Sequence, residues 1–436
     1  VTLTIMPGVT VKFDAEKSLQ IDGELIAQGT SEAQIVFTSN VGTSPGDWGY
    51  ILFTDSSVDA TYDGDENYVS GSILQYAVIE YGGGANVNDN AALRIDASSP
   101  FVNHSTIRHS GSDGISAFNG GSPTLTENMI SNNAGRGIYV YHNSGTVKIA
   151  HSTISYNGQE GIRVYNDGTA TIGQNTISYN GYRGISISGG TATISDNTIN
   201  SNSGGGIYAN STTAIISHNI VADNAASDGG GIYLSHRTAT VNDNIIMNNS
   251  AADDGGGIYS YYPTGTINDN IIAGNVSDDR GGGLYMREYD MTLSHNSILR
   301  NHSLNKGGGI DADHSGRLVD NLILYNTTEN VKGGVFLSSL ADFNDNNIYS
   351  NTGLDLRNGN PQGSTDLNAE NNWWGTAEAA QIAAQVWDWF DDGNLGIVDY
   401  TPYRTAPNID APTSPPTGLS ATPTSTTSPS RNWSPN

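Results

Sequence analysis

The sequence predicts an all-β solenoid, in which short strands joined by tight bends repeat as stacked coils. Three observations lead there. A glycine followed by an aliphatic residue recurs at Gly114-Ile115, Gly137-Ile138, Gly161-Ile162, Gly184-Ile185, Gly206-Ile207, Gly231-Ile232, Gly257-Ile258, Gly283-Leu284, Gly309-Ile310 and Gly334-Val335, at intervals of 22 to 26 residues. Two asparagine series keep the same step: Asn175, Asn197, Asn219, Asn244, Asn270, Asn296, Asn321, Asn346, and Asn157, Asn180, Asn202, Asn224, Asn249, Asn275, Asn301, Asn326, Asn351. The segments between them, such as GTINDNII and GGGIYSY, alternate apolar and polar residues over a few positions, with no run at the 3.6-residue period of a helix.

Composition agrees. The 53 glycines and the low hydrophobic fraction of 36% suit turns and strands rather than a large globular core. Eighteen Lys and Arg against 44 Asp and Glu give a formal charge of −26, which excludes nucleic acid as a partner, because neutralising phosphates requires basic side chains. There is no cysteine, so disulfide and thiol chemistry are out. No apolar run is long enough to span a bilayer.

The elements follow in order. The chain opens on LTIMPGVTVKF, LQIDGELIAQGT and IVFTSN, then DWGYILF and LQYAVIEYGG, all strand-like, and the coil repeat runs to ENNWWGT at 370 to 376. Stacking identical positions about 4.8 Å apart makes inward Ile and Val into apolar ladders and lets buried Asn bond to Asn in the next coil. The segment AEAAQIAAQVWDWF reads as a short amphipathic helix that, with GIVDYTPY, forms a C-terminal cap over 377–405. Residues 406–436 carry a Pro/Thr/Ser-rich linker in which PPTGLSATP is similar to the start of a fibronectin type III module. The three parts expected are thus 1–376, 377–405 and 406–436. Val1 begins directly in strand-like sequence, so the chain is expected to be a portion of a larger modular exported protein.

The entry segments, the coil repeat and ENNWWGT together resemble the right-handed parallel β-helix proteins of the pectate-lyase-like superfamily, in particular those of bacterial surfaces, over about 1 to 405. The resemblance implies a right-handed parallel β-helix that is secreted or held at the bacterial cell surface. It says little about activity, because the superfamily holds lyases, hydrolases, epimerases, adhesins and non-enzymes. Its lyases neutralise an acidic sugar with Ca²⁺ and abstract a proton with Arg or Lys, and no cluster of bases here reproduces that arrangement.

Alternation in the strand after each glycine puts the aliphatic residue inside and the next one outside. One outward column reads Ser116, Tyr139, Arg163, Ser186, Tyr208, Tyr233, Tyr259, Tyr285, Asp311, Phe336, and the next reads Phe118, Tyr141, Tyr165, Ser188, Asn210, Ser235, Tyr261, Arg287, Asp313, Ser338. Rings with a polar tip suit sugars, so Tyr139, Tyr141, Arg163, Tyr165, Tyr208, Tyr233, Tyr259, Tyr261 and Tyr285 are the candidate polysaccharide contacts. Stacked tyrosines also stabilise a sheet without any ligand. Asp228, Asp253, Asp254, Asp278 and Asp279 precede the glycines, and such stacked carboxylates need either basic neighbours or Ca²⁺. Asp311 and Asp313 share one face about 7 Å apart, an inverting glycosidase separation, with His314 adjacent and Arg287 one coil away, so these four are the candidate catalytic set.

Together these features lead to an extracellular structural or adhesive β-helix that binds a polysaccharide along its tyrosine face. One alternative is a polysaccharide hydrolase or lyase; another is a subunit of a head-to-tail filament, joined through strand edges at the ends of the stack.

Overall fold

The computed structural model describes residues 1–141, 145–166, 168–287, 291–313, 316–330, 333–338 and 342–416. It contains two compact units, one made of Val1–Ser203 with Ser211–Thr213, the other of Gly204–Asn210 with Ala214–Asn436. Each is an all-β stack of coils, and in each the coils feed one strand apiece into three parallel sheets.

In the first unit, Thr146–Ala150, Thr153–Ser155 and Ile162–Tyr165 make one coil and pair with Thr169–Gly173, Thr176–Ser178 and Ile185–Ser188 of the next. The register sets like against like: Ile149 on Ile172, Ile154 on Ile177, Ile162 on Ile185. Val147, Ile149, Ile154, Ile162 and Val164, and Ala170, Ile172, Ile177, Ile185 and Ile187 after them, are at most 1% exposed. Alternation produces this, since only every second strand residue faces inward. Near the start of the unit a buried Trp48 stacks on Phe13, centroids 4.2 Å apart, and its Nε1 donates to the Glu80 carbonyl. The large ring fills a coil section that lacks the regular ladder residues.

The second unit adds a narrow fourth sheet of two-residue strands, Ala225–Ala226, Ser250–Ala251, Val276–Ser277, His302–Ser303 and Thr327–Thr328. These occupy the extra residues of its 25- and 26-residue repeats. The GGG triplets follow this sheet. Gly255 has φ +67°, and a Cβ on Gly256 would lie 2.4 Å from the Val276 carbonyl oxygen, so neither position accepts a side chain without moving backbone.

Both asparagine series form buried ladders. Asn275 is 0% exposed; its Nδ2 donates to Asn301 Oδ1 at 3.0 Å and to the Ile246 carbonyl at 3.0 Å, while its Oδ1 accepts from the backbone N–H and Nδ2 of Asn249. In the first unit the ladders begin earlier than the sequence series, at Asn128 and Asn133, with Ser152 substituting for one rung. Each rung follows a residue at positive φ, for instance Gln174 at 59° or Asp269 at 58°, which turns the corner and aims the amide inward.

Two expectations at the C-terminal end change. The helix is only Ala379–Ala383, with Ile382 its one buried residue, and Val386–Trp387 joins the third sheet beside Leu356–Asn358. So short a helix has little stability of its own and stops where β-branched Val386 can pair as a strand. The stretch expected as linker is partly tied down: Asn347 Nδ2 donates to the carbonyls of Asn408 and Pro412, Asn408 N–H donates back to Asn347 Oδ1 at 2.8 Å, and Ala411 is 3% exposed. Thr417 onward, including most of PPTGLSATP, lies outside the described residues. Among the described residues no helix is long and apolar enough to cross a membrane.

Because each rung satisfies buried groups on both neighbours, Asn275→Ala strands donors and acceptors in the two flanking coils, and each unsatisfied buried group costs about 1–3 kcal/mol. We expect a urea midpoint well below that of the parent, and a larger loss than from Asn305→Ala, a partly exposed asparagine beside the ladder; equal losses at the two positions would contradict the ladder account.

Candidate functional site

The outward columns fall where alternation requires. In the first unit Ser116, Tyr139, Arg163 and Ser186 are in register, as are Phe118, Tyr141, Tyr165 and Ser188. In the second, Tyr208, Tyr233, Tyr259, Tyr285, Asp311 and Phe336 follow one another, with Asn210, Ser235, Tyr261 and Arg287 beside them.

Ring geometry divides these tyrosines. Tyr208 and Tyr233 stack at 4.7 Å and Tyr233 and Tyr259 at 5.0 Å, so the faces of Tyr233 are taken by its neighbours and only its edge and hydroxyl meet solvent. Tyr259 is 8% and Tyr285 2% exposed, the latter with the Arg280 guanidinium 5.7 Å from its ring centroid. Neither offers a ring face to a sugar. Tyr261 is half-buried and carries the Arg287 guanidinium over its ring at 5.4 Å. In the first unit Tyr139 and Tyr141 are half-buried and Tyr165 is exposed; Tyr141 stacks on Tyr165 at 5.8 Å, and Arg163 lies over Tyr165 at 5.2 Å.

Beside Tyr139 the first unit has an open groove of about 370 Å³, lined by Asp89, Asn90, Asp113, Arg136, Tyr139 and Gln159 among others. On the preceding coil Tyr139 meets Ser116, which is fully buried. The groove floor is a charge ladder. Arg136 sits between two buried carboxylates, its backbone N–H donating to Asp113 Oδ1 at 2.7 Å, its Nη1 3.2 Å from Asp113 Oδ2 and its Nε 3.3 Å from Glu160 Oε2, while Arg163 Nη1 reaches Glu160 Oε1 at 3.4 Å. Burial raises the Asp113 pKa despite the opposing pull of Arg136. The sequence reading missed Asp113, Arg136 and Glu160. The available signal was their shared place before Gly114, Gly137 and Gly161, with alternating sign.

The candidate catalytic set is only partly assembled. Asp311 lies over Tyr285 in the column but is 1% exposed, and its Oδ2 has no hydrogen-bond partner among the described residues. Asp313 Oδ2 accepts from the Tyr285 hydroxyl at 2.9 Å, and that hydroxyl accepts from Arg280 Nη1 at 3.1 Å. Arg280 therefore enters the cluster, unanticipated, and Lys306 stands nearby over the Phe336 ring at 4.5 Å. Arg287 is exposed on the second column against Tyr261. His314 lies outside the described residues.

Of the five aspartates considered for Ca²⁺, three come together: carboxylate oxygens of Asp253, Asp254 and Asp279 lie within 4.8 Å of one another. Asp228 borders them, its Oδ1 accepting from the Asp254 N–H at 3.4 Å. Asp278 is instead influenced by His302, and its raised pKa comes mainly from burial.

Burial, with neighbouring carboxylates adding to it, pushes Asp311 and Asp254 each up to about 7. A carboxyl whose folded pKa exceeds its unfolded value of about 3.9 holds its proton more tightly when folded, so stability falls as pH rises from about 4 to about 7 and then levels off. We expect Asp311→Asn to be more stable than the parent at about pH 8, and to lose less stability between about pH 5 and pH 8 in urea melts. An unchanged slope would show that Asp311 keeps no proton in the folded protein.

The right handed beta helix region family model matches residues 57–161 and 136–298, more than half of the chain. No curated protein matches in sequence. Among solved structures, PfbA, a surface adhesin of Streptococcus pneumoniae, is 11% identical over 83% of this chain and 84% of its own, with a TM-score of 0.19, at which the likeness carries no argument about this chain. The ladders, the parallel sheets and the family match agree: this chain belongs to the right-handed β-helix family.

Proposed function

We propose that this chain is an extracellular bacterial surface or matrix β-helix, structural or adhesive in role, that holds a polysaccharide along the tyrosine-bearing face of its third sheet. The observation that carries the reading is the groove beside Tyr139, where a ring, planar amides and carboxylates line one open space and the adjacent column residue is a serine. Aromatic rings pack on the apolar faces of pyranoses while amides and carboxylates bond to hydroxyls, which is the composition of a sugar site. Tyr141 and Tyr165 continue the face beyond the groove. Binding rather than hydrolysis fits the second unit, because an acid catalyst must touch its substrate and Asp311 is buried.

Affinity electrophoresis through gels containing single polysaccharides tests this. We expect retardation by at least one neutral or weakly charged polymer, and its loss in Tyr139→Ala/Tyr141→Ala/Tyr165→Ala at an unchanged melting temperature. Undiminished retardation of the triple variant would remove the tyrosine face from the reading.

We also propose Ca²⁺ as the ion that would relieve Asp253, Asp254 and Asp279 when Asp254 loses its proton. A ligand that binds only the folded state raises its stability. Millimolar Ca²⁺ should therefore raise the melting temperature at about pH 8, less so in acid where the proton competes, and not at all in Asp254→Asn; no rise in the parent sinks the calcium proposal.

A further inference from the structure

The charges around the groove do not cancel. Arg136 is held between Asp113 and Glu160, and Arg163 is held on Glu160, so both guanidinium groups are neutralised within the wall. Neither is left to clamp an anionic sugar. Asp89 remains: its backbone carbonyl accepts from Arg94 Nε at 3.3 Å, which fixes the loop, and its carboxylate has no ion-pair partner among the described residues. Asp89 and Tyr139 line the same groove. Among the groove-lining residues, Asp89 and Asp113 against Arg136 leave one formal negative charge, on a chain whose formal charge is −26.

The Tyr139 ring already attracts a cation, the Arg136 guanidinium, whose carbon lies 4.3 Å from the ring centroid. With Arg163 at 6.0 Å and Tyr141 stacked at 5.7 Å, the faces of this ring are taken, so an alkylammonium entering the groove is held by an ion pair to the carboxylate beside the ring's edge and hydroxyl. Asp89 and Tyr139 line the groove together, so the space for such a group is present beside them.

We propose that the groove is a subsite for a cationic amino sugar, with the sugar ammonium at Asp89 and the pyranose against Tyr139, so that the preferred polymer is a hexosamine chain bearing free amines. This rests on the polysaccharide reading above and sharpens it. Uronate and sulfated polymers are disfavoured by the same charge balance.

Isothermal titration at about pH 6, where an alkylammonium is protonated, separates the two claims. The probes are β-1,4-linked glucosamine hexamer, its fully N-acetylated counterpart and an oligogalacturonate. We expect the glucosamine hexamer to bind about tenfold tighter than the acetylated one, with weaker binding at higher salt, and the oligogalacturonate not to bind. Asp89→Asn, a change in a loop held by Arg94, should bring the two hexamers to equal affinity, whereas Tyr139→Ala should weaken both and keep the preference. Equal affinities in the parent, or a preference that survives Asp89→Asn, overturn the amino-sugar assignment and leave the polysaccharide reading standing. Binding of none of the three probes, together with no retardation by any polymer in the gels, removes both.

Discussion

A solenoid places each residue about 4.8 Å from its counterpart in the next coil, and the rest of this molecule follows from which side chains tolerate their own copy at that distance. Isoleucine does, so Ile149 on Ile172 and Ile154 on Ile177 build the core. Asparagine does because its amide is donor and acceptor at once, and Asn249, Asn275 and Asn301 pass one hydrogen bond along the stack. Tyrosine does by offset stacking, as between Tyr208, Tyr233 and Tyr259. Aspartate does not, since two ionised carboxylates at that separation repel. The chain resolves this in three ways: alternation of sign in Asp113, Arg136 and Glu160, proton retention at Asp254, and replacement of the acid by Arg280 in the following coil.

That constraint also explains how much could be read from the sequence. Because the same position recurs every 22 to 26 residues, the period of Gly114, Gly137 and Gly161 reveals register without any structure, and the columns from Ser116 to Phe336 were legible down to individual residues. What the period cannot reveal is depth. Tyr233 and Tyr285 occupy the same column, yet the first is half-buried and the second, with Arg280 over its ring, is 2% exposed. The same burial separates Asp311 from any substrate while leaving it on the expected face. At the C-terminal end there is no period to follow, so helix propensity in AEAAQIAAQVWDWF outweighed the pairing of Val386 with Leu356, which depends on chain distant in sequence.

The groove was missed for a related reason. Its walls come from positions that were each read singly, Asp89 in an irregular loop and Asp113, Arg136 and Gln159 at successive corners. Their common place becomes visible only when the corners are aligned by coil. The alternating signs at the residue before each glycine are then a coherent signal, since isolated buried charges would be expelled whereas a charge between two opposite ones is retained.

Where a ladder is unbroken, its side chains are already one another's ligands. Tyr233 has rings on both sides, Asn275 has amides on both sides, and neither has capacity left for a guest. On the polysaccharide reading proposed above, recognition therefore belongs to the interruptions. Ser116 interrupts a column that continues with Tyr139 and Arg163, and Asp89 stands outside the alternation that neutralises Asp113 and Glu160. The density of tyrosines along a β-helix is thus a poor guide to which rings stay accessible, since a ring stacked on both sides keeps only its edge and hydroxyl.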